Sequence, residues 1–106
     1  MLFELRQYRV RPGRRNDWVR LMDEVIIPFQ VERGMTIVGT FVAEEDPDLY
    51  VWIRRFPDEE ERRRLYQAVY ESDHWKTIIE PRTTELLGDE RMVVTRLIPT
   101  NSSATR

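Results

Sequence analysis

The segment Leu49-Tyr50-Val51-Trp52-Ile53-Arg54-Arg55-Phe56 is apolar at both parities. Side chains alternate between the two faces of a strand, so Val51 and Ile53 stand on one face and Tyr50, Trp52 and Phe56 on the other. The same doubling recurs twice: Ile37 and Phe41 stand against Val38 and Val42, and Val93 and Leu97 against Met92, Val94 and Ile98. A sheet made of such strands needs an apolar cover on each face. The chain has only 106 residues, a length that suits one domain, with little material left for covering.

Leu2 to Val10 alternates as a strand, with Phe3, Leu5 and Gln7 opposite Glu4, Arg6 and Tyr8, and Pro12-Gly13 closes it. Trp18, Leu21, Met22, Val25, Ile26 and Phe29 then recur on one helical face. Asn16 is a candidate cap for this helix, with Gly13 as an earlier start; Pro28 is expected to kink or shorten the last turns, and Gly34 to end them. Met35–Ala43 and Leu49–Phe56 read as a strand pair joined by a polar loop. Asp58 and Glu61 suit the start of a second helix, whose apolar stripe is Leu65, Ala68 and Val69. Ser72 suits a fresh cap for a further helical piece carrying Trp75, Ile78 and Ile79, interrupted by Pro81 and ended by Leu86-Leu87-Gly88. Arg91–Ile98 is the last strand.

The order β-α-β-β-α-β predicts an α+β, ferredoxin-like domain over residues 1–98, a four-stranded antiparallel sheet with its helices on one face. Residues 99–106 are expected to be a disordered tail. Helices then cover one side only. A second copy of the chain, stacked sheet on sheet, is the cover available for the other, which predicts a two-fold homodimer. Trp52 or Val94 is the candidate for the partner side, which would make Ile53 and Val93 the helix-facing core.

Composition narrows the chemistry. There is no Cys, which excludes thiol catalysis, disulfides and cysteine metal sites, and a single His excludes a multi-histidine site within one chain. Lys and Arg number 17 against 19 Asp and Glu, a net charge of -2 that offers no field for nucleic acid. No apolar window is long enough for a membrane span and no secretory pattern opens the chain, so a cytoplasmic location is expected. Glu45, Asp46 and Asp48 lack the spacing of a calcium loop, and Arg62-Arg63-Arg64 reads as a solvated helix face. No metal site is expected.

His74 is the residue whose ordinary pKa lies nearest neutrality, and in the first turn after Ser72 its neutral ring would be favoured. It reads either as a general base or as a surface residue beside a packing Trp. Arg6 and Arg54 lie on strands among aromatic rings, and with Tyr8, Trp52 and Trp75 they would suit a planar anionic or phenolic ligand. The competing account is cross-strand Arg–Glu pairing, with the rings filling core and interface. Trp18, Met22 and Phe29 read as core.

Glu4-Leu5-Arg6-Gln7-Tyr8, Arg11-Pro12-Gly13, Pro28 with Gly34, Val38-Gly39-Thr40-Phe41, Tyr50–Phe56 and Trp75 together resemble the NIPSNAP family, over residues 2 to 98. The resemblance implies the dimeric α+β barrel, in which two ferredoxin-like units pair. Relatives of that architecture include small monooxygenases, isomerases, and haem-degrading, dehalogenating and decarboxylating enzymes. Gln7 and Tyr8 stand where haem-degrading relatives use an Asn, a departure from the haem pattern.

The function expected is a small cofactor-independent enzyme, of monooxygenase or isomerase type, acting on a hydrophobic or aromatic small molecule. His74 would be the base, with Arg6, Tyr8 and Arg54 placing oxygen atoms. A non-catalytic dimer that binds a ligand or a protein is the alternative. An enclosed pocket touching His74 discriminates the two.

Overall fold

The computed structural model describes residues 1–88 and 92–106. Its elements run β1 (Leu2–Arg9), α1 (Arg15–Leu21), a π turn (Met22–Ile26), α2 (Ile27–Glu32), β2 (Thr36–Val42), β3 (Leu49–Phe56), α3 (Glu59–Tyr70), a second π turn (Trp75–Ile79), α4 (Glu80–Leu87) and β4 (Met92–Leu97). The fold is the expected α+β, ferredoxin-like arrangement. Its antiparallel sheet has the order β2-β3-β1-β4, so β1 and β3 are central. Arg91, expected to open the last strand, lies outside the described residues.

Local chemistry accounts for most boundaries. Asp58 caps α3 by accepting from the Glu61 N–H at 2.8 Å, while the Glu61 carboxylate turns to Arg64 instead of back to the cap. Ser72 accepts from the Trp75 N–H at 3.2 Å and starts the next helical run. Gly34, at φ 109°, ends α2 in a conformation that side chains rarely adopt. α1 begins at Arg15 without a side-chain cap, so neither Asn16 nor Gly13 starts it.

The two internal prolines do not break their helices. In each case a π turn comes first, and Pro28 or Pro81 stands at the start of the α segment that follows. There its missing N–H costs little, as at any first turn. The register change also separates Ile78 from Ile79: Ile79 is fully buried and Ile78 is exposed.

The helices cover the face that carries Leu2, Glu4, Arg6 and Tyr8 of β1 and Tyr50, Trp52, Arg54 and Phe56 of β3. The core beneath them joins Tyr8, Tyr50 and Trp52 to Trp18, Met22, Ile26, Ile79 and Leu87, with Phe56, Leu65 and Val69 at one end. The two faces are therefore the reverse of the expected assignment. Trp52 is buried under the helices, and Val94 shares its face opposite Arg6, whereas Ile53 and Val93 lie on the uncovered face. Both parities are apolar, so the pattern fixes no face; the buried ion pairs described below do.

A bulge between Ile37 and Gly39 adds a further correction. It places Ile37 opposite Arg54 on the covered face and Phe41 opposite Val51 on the open one, so these two residues do not share a side. Val38, Phe41, Val93 and Leu97 are exposed, and residues 99–106 bend back beside Phe3, Ile53 and Leu97, where Arg55 donates to the Arg106 carbonyl at 2.9 Å.

Candidate functional site

Beneath the helices the sheet buries charge. Glu4 and Arg54 are register partners, both 0% exposed, with Arg54 Nη2 donating to Glu4 Oε1 at 2.8 Å. Three residues of α3 at four-residue spacing, Arg62, Tyr66 and Tyr70, face the same cluster. Arg62 Nε and the Tyr66 hydroxyl each donate to Glu4 Oε2 at 2.6 Å. Arg54 also donates to the Tyr66 and Tyr70 hydroxyls, at 2.9 and 2.7 Å, and to Gln30 Oε1 at 2.9 Å. Burial by itself would raise the Glu4 carboxyl, but the charge of Arg54 and these hydrogen bonds outweigh it and hold the pKa at about 2.

Arg6 is the other buried cation among the described residues. Its Nε donates to the Tyr8 hydroxyl at 2.6 Å and its Nη1 to the Tyr66 hydroxyl at 3.1 Å. Glu4 comes no nearer than 3.6 Å. Burial pushes the Tyr8 and Tyr66 hydroxyls up against the opposing charges of Arg6 and Arg54, so both remain phenols at neutral pH.

Above Arg6 opens a cavity of about 480 Å³, within the size range of small-molecule sites. Arg6, Tyr8 and Tyr70 supply polar groups; Trp18, Met22, Ile26, Trp52, Trp75 and Leu87 supply apolar walls, and Glu80, Thr83 and Thr84 also line it. All three tryptophans of the chain take part. The two π turns contribute Met22, Ile26 and Trp75, a placement such turns often take at functional sites. The buried indole N–H groups of Trp18 and Trp52 have no hydrogen-bond partner among the described residues.

The expected binding residues are thus divided. Arg6, Tyr8, Trp52 and Trp75 come together at the cavity. Arg54 sits behind it, 4.8 Å from the Trp52 ring, and orients Tyr70 and Gln30 rather than lining the space. His74 is exposed and does not line the cavity; its ring rests 5.1 Å from Phe29. The residues not anticipated are Gln30, Tyr66, Tyr70 and Glu80, and Arg62, read as part of a solvated helix face, turns inward to Glu4 instead. The four-residue repeat of Arg62, Tyr66 and Tyr70, alongside Leu65 and Val69, was the readable signal for the tyrosines. Nothing local marks Glu80, whose Oε2 accepts from Trp75 Nε1 at 3.2 Å. Trp18 and Met22, read as core, are core and cavity wall at once.

An antiparallel ferredoxin-like sheet with an aromatic cavity between sheet and helices defines a class of small α+β domain. Within it, this chain belongs to the NIPSNAP family, whose model matches residues 3–103. No curated protein matches the chain in sequence. A NIPSNAP family protein from Agrobacterium tumefaciens is 24% identical with a TM-score of 0.87, covering 99% of this chain and 98% of that one. An uncharacterized NIPSNAP domain protein from Burkholderia xenovorans is 16% identical with a TM-score of 0.85, covering 97% and 98%. An antibiotic biosynthesis monooxygenase shares the fold at 19% identity and a TM-score of 0.62, covering 93% and 100%.

Proposed function

We propose that this NIPSNAP protein is a homodimer whose subunits each bind a hydrophobic, aromatic small molecule between sheet and helices. The observation that carries the binding reading is the cavity itself: aromatic walls around a few convergent polar groups. Arg6 and Tyr8 would hold an oxygen atom of the molecule, while Trp18, Trp52 and Trp75 enclose its ring.

Proton transfer of the isomerase or oxygenase kind needs an acceptor that touches the bound molecule. His74 does not line the cavity, so the enzyme reading loses the support that a pocket touching His74 would have given it; the acceptor that does line the cavity is the Glu80 carboxylate. Without turnover, the same geometry serves a binding protein, and Glu80→Gln separates the two readings once a substrate is in hand.

Support for the dimer is the uncovered face, where Val38, Phe41, Val93 and Leu97 are exposed around the half-buried Val51 and Ile53. Burying a large apolar side chain contributes about 1.5–3 kcal/mol, so several from each subunit exceed the cost of association.

The site is tested by titrating the protein with neutral naphthamide while following tryptophan fluorescence, because every tryptophan lines the cavity. A saturable change that is lost in Thr84→Phe, which narrows the rim from an exposed position, is expected. A signal unchanged by Thr84→Phe would place the binding elsewhere.

A further inference from the structure

We propose that the molecule held in this cavity is an anion, and that its charged oxygen is received by Arg6 together with the Tyr8 and Tyr70 hydroxyls. The proposal rests on the aromatic-ligand reading above and specifies the charge that ligand carries.

The argument is a balance of buried charge. Charges removed from water are paired or coordinated, since isolation is costly. Glu4 accepts four hydrogen bonds: two from Arg54, one from Arg62 and one from Tyr66. None comes from Arg6. Arg62, at the cluster's edge, has Glu59 as a second partner at 3.2 Å. The cluster thus sets the single carboxylate of Glu4 against the deeply buried guanidinium groups of Arg54 and Arg6. Arg54 and Arg6 are near enough to repel one another. Arg6 is 8% exposed; its direct hydrogen-bond partners are neutral phenols, and the nearest carboxylate is Glu4 at 3.6 Å, already shared with Arg54 and Arg62. Within the buried cluster one positive charge is left over, and it borders the cavity; the Glu80 carboxylate lines the same cavity, but from an exposed position where it accepts from Trp75 Nε1.

The hydroxyls complete the cradle. Tyr8 oxygen accepts from Arg6, and Tyr70 oxygen accepts from Arg54 and, at 3.3 Å, from Gln30. Each therefore directs its own hydrogen away from its arginine, and neither hydrogen has an acceptor among the described residues. A guanidinium and two phenolic donors bordering one apolar space match a carboxylate, phenolate or enolate attached to a ring. A neutral amide would leave the charge of Arg6 uncompensated.

Naphthoate and naphthamide share ring and shape and differ in charge. Calorimetric titration at neutral pH should show naphthoate binding about ten-fold tighter or more, the equivalent of one hydrogen bond to a charged group. Arg6→Met should weaken naphthoate more than naphthamide and so bring the two affinities together, and Arg6→Lys should keep part of the preference. Equal affinities in the unaltered protein, or a preference that survives Arg6→Met, would overturn the proposal and leave the aromatic site standing. Failure of both probes to bind would overturn that site as well. Should Arg6→Met not fold, Tyr8→Phe decides: a smaller naphthoate-over-naphthamide preference supports the cradle, and an unchanged preference overturns it.

Discussion

Glu4 and Arg54 face each other across the two central strands, with no solvent exposure and 2.8 Å between Oε1 and Nη2. Removing one partner of such a pair strands a charge where water cannot reach it. Arg54→Met is expected to destabilise the fold by about 3–5 kcal/mol, read from urea unfolding. Combining it with Glu4→Gln should cost less than the sum of the two single changes, because the stranded charge is removed too.

The same carboxylate sets an acid limit. Its pKa of about 2 in the fold lies below the ordinary 4.5, so the unfolded chain takes up the proton first as pH falls. The stabilisation is complete above pH 4.5 and is lost progressively down to pH 2. Urea midpoints measured through that window should fall for the unaltered protein and fall less steeply for Glu4→Gln, which starts from a lower value at neutral pH.

The open face predicts the assembly. Sedimentation at micromolar concentration should give twice the chain mass of 12.9 kDa, with a melting temperature that rises with protein concentration. Ile53→Asp, on that face of central strand β3, should give monomer or aggregate. A well-folded monomer of the unaltered chain would refute the dimer.

His74 offers a contrast. It is exposed and outside the cavity, with one ring contact to Phe29. His74→Ala should change naphthoate affinity by less than about two-fold and stability by no more than about 0.5 kcal/mol, as for an ordinary surface substitution. A larger loss of affinity would bring His74 back to the site.

Much of the strand architecture was legible, because period-two alternation and turn residues are local signals. Leu49–Phe56 has the bounds its pattern predicts, and Asp58 and Ser72 cap as expected. The prolines were misleading for a physical reason: a π turn changes the helical register just before Pro28 and Pro81, and no single residue announces it. The bulge at Val38 likewise moves Ile37 to the opposite face from Phe41 through backbone geometry alone. Of the cavity residues, Arg6, Tyr8, Trp52 and Trp75 stood out as polar or aromatic groups among strand and helix patterns. Tyr70 and Glu80 did not, since their part depends on how α3 and α4 lie over the sheet.

By itself the sequence determined that four strands and two helical segments would form, and that the strands would carry apolar side chains on both sheet faces. Those properties follow from side-chain periodicity, which each segment carries alone. Only the tertiary structure decided which face the helices take. Trp52 and Ile53 are both apolar and cannot settle that choice; Glu4, Arg6 and Arg54 require partners, and Gln30, Arg62, Tyr66 and Tyr70 supply them from the helical side. Charge balance across three elements is a property of the assembled fold, and it leaves Arg6 beside the cavity.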